Sequence, residues 1–279
     1  MNPAVPDRPL IMGILNLTPD SFSDGGRFSD HGEAAAHALR MAAEGADIID
    51  VGGESTRPGA ARVPAGEQLK RVLPVIETIR AALPARVGIS IDTTSAEVAG
   101  RALQAGASLI NDVSAGRDDP GMFALARDRK VPIVLMHMRG VPANMQDAPR
   151  YADVVGEVRE FLLARAAAAI DAGMPKDDII IDPGIGFGKN KEHNLRLLAA
   201  LDSLVATGFT VLLGASRKRF MGSVCSVEKF SDLAGATCAT TALGVLAGVR
   251  IFRVHDVRAN RQALDVAWAI RNLGNSGSE

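Results

Sequence analysis

Residues Ile179-Ile180-Ile181-Asp182-Pro183-Gly184-Ile185-Gly186-Phe187 decide the fold. Three consecutive β-branched aliphatics read as a strand covered on both faces, as in a parallel sheet. The run then stops at a carboxylate and a Pro-Gly turn. The same pattern recurs outward in both directions. Upstream, apolar runs end in Asn16 to Gly26, Gly52 to Gly59, Ser90-Ile91-Asp92-Thr93 and Ile110-Asn111-Asp112-Val113. Downstream they end in Ser216-Arg217-Lys218-Arg219-Phe220 and Arg253-Val254-His255-Asp256. Strands are predicted at 10–16, 47–53, 88–93, 109–114, 132–137, 179–184, 210–216 and 251–256. Helical spacing follows each, at 32–45, 67–83, 95–106, 120–129, 151–172, 191–206, 234–248 and 258–273. Eight strand–helix units in 279 residues fit a closed (β/α)8 TIM barrel, an α/β fold, better than an open sheet. One domain over 1–279 is expected, with the barrel at 10–273 and a polar tail at 274–279.

Local signals agree with these units. Ser95 stands where an N-cap is needed. Gly45, Gly106, Gly173 and Gly248 stand where helices should stop. The chain is 47% hydrophobic but only 4% aromatic, which suits a barrel packed from branched aliphatics. Net charge is −1 without a basic block, which argues against an extended nucleic-acid surface. Cys225 and Cys238 form no CxxC pair, so no disulfide framework is expected. The N-terminal residues lack a signal-peptide pattern, and no apolar run reaches the roughly 18 residues of a membrane span. A cytoplasmic protein without a membrane partner is the expectation.

Polar groups at the C-terminal ends of parallel barrel strands converge on one mouth, where such folds place their sites. Strand alternation puts Ser90 with Asp92 on one face, and likewise Ile180 with Asp182 and Arg253 with His255. If Ile89 and Ile91 meet the helices, Asp92 points into the mouth. Asn111 and Asp112 must point opposite ways, so only one of them reaches it. Each residue also has an ordinary structural reading. Asp92 suits a helix cap, Asp182 a Pro-Gly turn, and His137 or His255 a barrel-end histidine. Their convergence favours a polar heterocycle rich in donors and acceptors. The run Arg217-Lys218-Arg219, with Arg57, Arg253 and His255, suits an anion such as a diphosphate. Asn16 offers one oxygen to a hard cation. Segments 17–31 and 54–66 are too long for mere connectors and read as mouth-side clamps. Segments 138–150 and 221–233 are also long and carry no obvious chemistry. P-loop, HExxH, GxSxG and zinc-type spacings are absent from the sequence.

With these motifs in order and spacing, the chain resembles the dihydropteroate synthase family of folate biosynthesis over about residues 10–273. The resemblance implies a transferase that joins 6-hydroxymethyl-7,8-dihydropterin diphosphate to 4-aminobenzoate, giving 7,8-dihydropteroate and diphosphate. It assigns pterin binding to Asp92, Asn111, Met136, Asp182, Gly214, Lys218 and Arg253. It assigns aminobenzoate to Phe22, Thr56, Pro58, Phe187, Ser216 and Lys218. Diphosphate falls to Asn16, Thr56, Arg57, Arg253 and His255, with Mg²⁺ on Asn16. The implied catalytic set is Asp92, Lys218, Arg253, His255 and Arg57. An SN1-like path, inhibition by sulfonamides and a homodimer are further expectations. Three other readings fit parts of the sequence. A pterin-dependent methyltransferase barrel would share Asp92, Asn111 and Asp182 but has no need of the clamps. A non-catalytic pterin-binding module would not need Lys218. A phosphosugar barrel would use the basic run but not the paired carboxylates.

Overall fold

A computed structural model describes residues 8–17, 29–55, 59–141 and 143–275. Its strands are β1 (Leu10–Asn16), β2 (Ile48–Gly52), β3 (Gly88–Asp92), β4 (Leu109–Asp112), β5 (Ile133–Met136), β6 (Ile179–Asp182), β7 (Thr210–Leu213) and β8 (Ile251–Val254). All pair in parallel with their sequence neighbours, and β8 closes on β1. This is the (β/α)8 barrel expected from the alternating runs. The helices are α1 (Ser29–Ala43), α2 (Ala65–Ala82), α3 (Ala96–Gln104), α4 (Met122–Arg129), α5 (Val154–Asp171), α6 (Lys191–Ala199), α7 (Leu201–Val205), α8 (Arg219–Cys225), α9 (Ala234–Ala247) and α10 (Val257–Asn275).

The helix boundaries have local causes. Ser95 caps α3 by accepting from the Val98 N–H. Gly45, Gly106, Gly173 and Gly248 all lie at φ between 91° and 113°, the left-handed turn that ends a helix without a Cβ penalty. Two sequence expectations are corrected, and one segment left open by the sequence is filled. The helix over 191–206 breaks at Ala200 into α6 and α7. The segment 221–233 is largely helical, because α8 and a 3-10 turn at Phe230–Leu233 occupy it. One 18-residue stretch, Phe230–Ala247, is long and apolar enough by composition to cross a membrane. That length comes from small residues as much as large ones, and Thr237, Thr241, Gly244 and Val245 are its buried positions in α9.

Two apolar layers result from strand alternation. Side chains on the outer face, such as Ile49, Ile89, Ile91 and Ile181, pack against the helices. On the inner face Met12, Ile48, Leu109, Val134, Ile180, Leu212 and Ile251 fill the barrel, one from each strand except β3. β3 sends only the small Gly88 and Ser90 inward at that level. One pleat further towards the C-terminal ends, the inward positions become Asp50, Asp92, Asn111, Met136, Asp182, Gly214 and Arg253. The period-2 pattern of a strand thus turns an apolar plug into a polar floor within about 7 Å along the axis.

Candidate active site

The floor is organised around Arg253. Its Nε donates to Asp50 Oδ2 at 2.6 Å, and an η-nitrogen donates to Asp92 Oδ2 at 2.7 Å. Asn111 Nδ2 donates to the same Asp50 oxygen at 3.1 Å. Asp50 can only accept when ionised, so the Asn111 amide must turn its nitrogen down and leave its oxygen for the mouth. Asp50 is fully buried and was not singled out from the sequence. Its signal was there, as a lone carboxylate inside Ile48-Ile49-Asp50-Val51, where an exposed reading is impossible for a covered strand. Asp112 points outward as expected, and its carboxylate accepts from the Ser114 and Gly116 N–H groups.

Burial pushes the Asp92 carboxyl up to about 7; Arg253 opposes this, while the nearby Asp50 charge reinforces it. Burial likewise lifts Asp182 to about 6, against the Gly184 N–H and the Lys218 charge. Asp182 serves both readings offered by the sequence. Its Oδ1 accepts from Gly184 N at 2.7 Å and forms the turn. Its Oδ2 lies beside Gly214, where a Cβ would come within 3.5 Å. Lys218 closes this side, its Nζ standing 4.1 Å from the centre of the Phe187 ring. Burial and Arg253 lower its amine to about 8. Phe187 packs with Val113, Met136, Met138 and Met145, an apolar wall along the floor. A cavity of about 280 Å³ opens beside Asp92, bounded by Glu54, Arg62, Thr94, Asp118 and Met138. A larger groove of about 540 Å³ lies on the outer helices and shares no lining residue with it.

The basic run does not act as a block. Arg217 is spent on Asp256, with contacts of 2.9 and 2.5 Å, and Arg219 begins α8. Only Lys218 of the three faces the floor. His255 is no cation either, because burial and the adjacent Arg253 drive its imidazole down to about 3. Its Nδ1 meets Ser216 Oγ at 3.0 Å, and its backbone N–H donates to the same oxygen at 3.1 Å. Asn16 ends β1 with its Oδ1 near Gly52. Glu54 folds the start of the second long loop back, accepting from Val63 N at 2.8 Å. Phe22, Thr56, Arg57 and Pro58 lie outside the described residues, as do residues 18–28 of the first long segment and 56–58 of the second.

Sequence reading also missed Lys189. Its amine is buried and meets His137 Nδ1 at 2.9 Å and the Gly184 and Phe187 carbonyls at 3.0 Å each. His137 is the structural histidine that the sequence suggested; burial and Lys189 hold it neutral, at about 2.

Comparison with known proteins agrees with this geometry. The model of the pterin-binding enzyme family matches residues 12–255. The dihydropteroate synthase of Mycobacterium leprae is 48% identical over 270 residues, covering 95% of this chain and 94% of that one. The dihydropteroate synthase of Xanthomonas albilineans, solved with 4-aminobenzoic acid, superposes with a TM-score of 0.89 at 48% identity, covering 95% and 94% of the two chains. The Yersinia pestis dihydropteroate synthase, solved in a sulfonamide complex, gives 0.89 at 41% identity and covers 95% of each chain.

Proposed function

We propose, from the premise that the chain belongs to the pterin-binding dihydropteroate synthase family, that it condenses 6-hydroxymethyl-7,8-dihydropterin diphosphate with 4-aminobenzoate. The observation that carries this reading is the floor itself. Two raised carboxyls, an oriented amide, a lysine and a shared arginine converge from β3, β4, β6, β8 and the turn after β7. A pterin presents parallel N–H donors on its guanidine-like edge, and the Asp182 carboxylate accepts such a pair. Asn111 supplies an acceptor at the next ring atoms, and Lys218 a donor for the ring carbonyl. Met136 and Phe187 supply apolar contact.

The reaction forms a C–N bond from the aminobenzoate amine to the pterin methylene, breaks the methylene C–O bond to diphosphate, and releases one amine proton to water or to the departing diphosphate. An aromatic amine is neutral near pH 7, so the nucleophile needs no strong base. Expelling the leaving group is the harder part, and positive groups aimed at its oxygens are the effective aid. Arg57 and Arg253 are our candidates for that role. His255 contributes hydrogen bonding there rather than charge. An ionised Asp92 favours cationic character at the methylene, which supports an SN1-like path. Aminobenzoate then sits between the Phe187–Ser216–Lys218 wall and the clamps that carry Phe22, Thr56 and Pro58. Closing those clamps would exclude water from the reactive carbon.

Asn16 is the proposed protein ligand of Mg²⁺. No cluster of three His, Cys, Asp or Glu suited to a metal occurs among the described residues. A single amide oxygen therefore fits an ion held mainly by water and diphosphate oxygens, as Mg²⁺ prefers. When bound, that ion would neutralise charge on the leaving group. Homodimer formation is supported by exposed Leu243, Leu246, Val266, Ile270 and Leu273 on the packed pair α9 and α10. A cytoplasmic location and sulfonamide inhibition complete the proposal.

The test is diphosphate release from the pterin diphosphate in the presence of Mg²⁺. Release that requires 4-aminobenzoate and yields dihydropteroate is the expected result. Tight pterin binding without turnover would overturn the synthase reading in favour of a binding module or a methyltransferase.

A further inference from the structure

The turn between β6 and α6 carries Phe187, and its backbone is held in an unusual way. Gly184, Gly186 and Gly188 all adopt left-handed φ, at 64°, 83° and 61°. A side chain at any of them would collide with a neighbour. A Cβ on Gly184 would lie 1.9 Å from His137 O, and one on Gly188 would lie 2.4 Å from Arg139 O. This tight path turns successive carbonyls away from ordinary secondary-structure partners. Gly184 O accepts from Phe187 N within the turn, and side chains meet the Gly184, Gly186, Phe187 and Gly188 carbonyls. Lys189 Nζ donates to Gly184 O and Phe187 O, both at 3.0 Å. Gln146 Nε2 donates to Gly186 O at 2.6 Å, and the Tyr151 hydroxyl donates to Gly188 O at 2.8 Å. Asn194 Oδ1 accepts from Gly186 N at 2.7 Å.

Lys189 is the centre of this arrangement. When protonated its amine has three N–H groups, and three acceptors stand at 2.9–3.0 Å: His137 Nδ1, Gly184 O and Phe187 O; burial lowers the amine to about 7, and the Asp182 charge opposes this. His137 must be neutral to accept, and its surroundings keep it so. The ring of Phe187 emerges from this hub to lie under the Lys218 amine. Gln146 comes from segment 138–150, a stretch without obvious chemistry in the sequence, and Tyr151 from just beyond it, ahead of α5. Their use here is to suspend the turn.

We propose that Lys189 is a positioning residue for the second substrate: with Gln146 and Tyr151 it fixes the Phe187 backbone, and so the aromatic wall against which 4-aminobenzoate is placed. Lys189 touches neither substrate and acts through Phe187. This rests on the reading of Phe187 as an aminobenzoate contact. In the pterin floor Asp92 and Asn111 are held by Arg253 and Asp50, and only Asp182 touches the turn, through Gly184 N, so a loosened turn should weaken 4-aminobenzoate more than the pterin.

The test is steady-state kinetics on the full chain and on Lys189→Met, Phe187→Ala, the double variant and Tyr151→Phe, each with both substrates varied. The expected result for Lys189→Met is at least a tenfold rise in KM for 4-aminobenzoate, with a clearly smaller rise in KM for the pterin diphosphate, whose Asp182 meets the turn only at Gly184 N. Tyr151→Phe removes one hydroxyl and keeps the ring, and should raise the same KM about threefold. The double variant should be no worse than Phe187→Ala alone, because Lys189 acts through that side chain. Equal effects on both substrates, or multiplying effects in the double variant, would overturn the proposal. If Lys189→Met does not fold, Tyr151→Phe decides: an unchanged aminobenzoate KM refutes the suspension of the turn. Absence of turnover by the unaltered chain would overturn the synthase reading and this inference with it, whereas turnover with unselective variants would overturn this inference alone.

Discussion

Replacing Asp50 with Asn keeps the side-chain shape and removes one charge from the centre of the floor. Asp50 is 0% exposed and accepts from Arg253 Nε at 2.6 Å and from Asn111 Nδ2 at 3.1 Å. Taking one partner from a buried ion pair costs about 3–5 kcal/mol. Arg253 retains Asp92 at 2.7 Å, which places the expected cost near the lower end. Both partners donate to Oδ2, so the Asn oxygen can keep both contacts, and the new NH2 takes the buried Oδ1 position, which has no hydrogen-bond partner, adding about 1 kcal/mol. A loss of about 3–4 kcal/mol in urea unfolding at pH 7 is therefore expected. A second effect has a definite sign. Asp50 helps to raise the Asp92 carboxyl to about 7, and Arg253 lowers it. Without Asp50, the whole guanidinium charge falls on Asp92, so that carboxyl must move down. The acid limb of the pH–rate profile should shift to lower pH in Asp50→Asn. A stability loss under about 1 kcal/mol with an unmoved acid limb would refute the account of Asp50 as the ion-pair anchor of the floor.

The ionised form of Asp182 is the acceptor for a pair of N–H groups, and its carboxyl is raised to about 6, so pterin affinity measured by calorimetry should rise between pH 5 and pH 7. The same raised carboxyls act on stability with the opposite sense. Between the unfolded value near 4 and the folded values of about 6 and about 7, the folded chain binds more protons, so Asp92 and Asp182 should make unfolding free energy fall as pH rises through that window. Isolating this by comparing wild type with Asp182→Asn in urea at pH 5 and pH 7.5 should show a smaller pH slope in the variant. Gly184→Ala combines a left-handed φ with a Cβ 1.9 Å from His137 O and should cost about 2–5 kcal/mol in the same assay. Chelating Mg²⁺ should slow diphosphate release, and Asn16→Ala should raise the Mg²⁺ concentration needed for half-maximal rate.

The strand runs and their polar ends were legible because local rules govern them. Ile179-Ile180-Ile181 is a covered strand whatever surrounds it, and period-2 alternation then places Asp92, Asn111, Asp182 and Arg253 on the inner face. Helix stops were legible for the same reason, since a glycine at positive φ needs no distant partner. Charge and partnership were not legible. Arg217 and Lys218 are adjacent in sequence, yet one is bound to Asp256 and the other faces Phe187. His255 reads as a cation in the sequence, but burial beside Arg253 leaves it neutral. Asp50 meets Arg253 across 203 positions of sequence, and Lys189 meets His137 across 52. Pattern along the chain determined the barrel and which residues reach its mouth. Only barrel closure, which brings β8 against β1 and buries these groups together, decided which charges are paired, which are raised or lowered, and which orient their neighbours. Local periodicity depends on a few adjacent residues, whereas electrostatics in a low-dielectric interior depends on everything within a few ångströms in space.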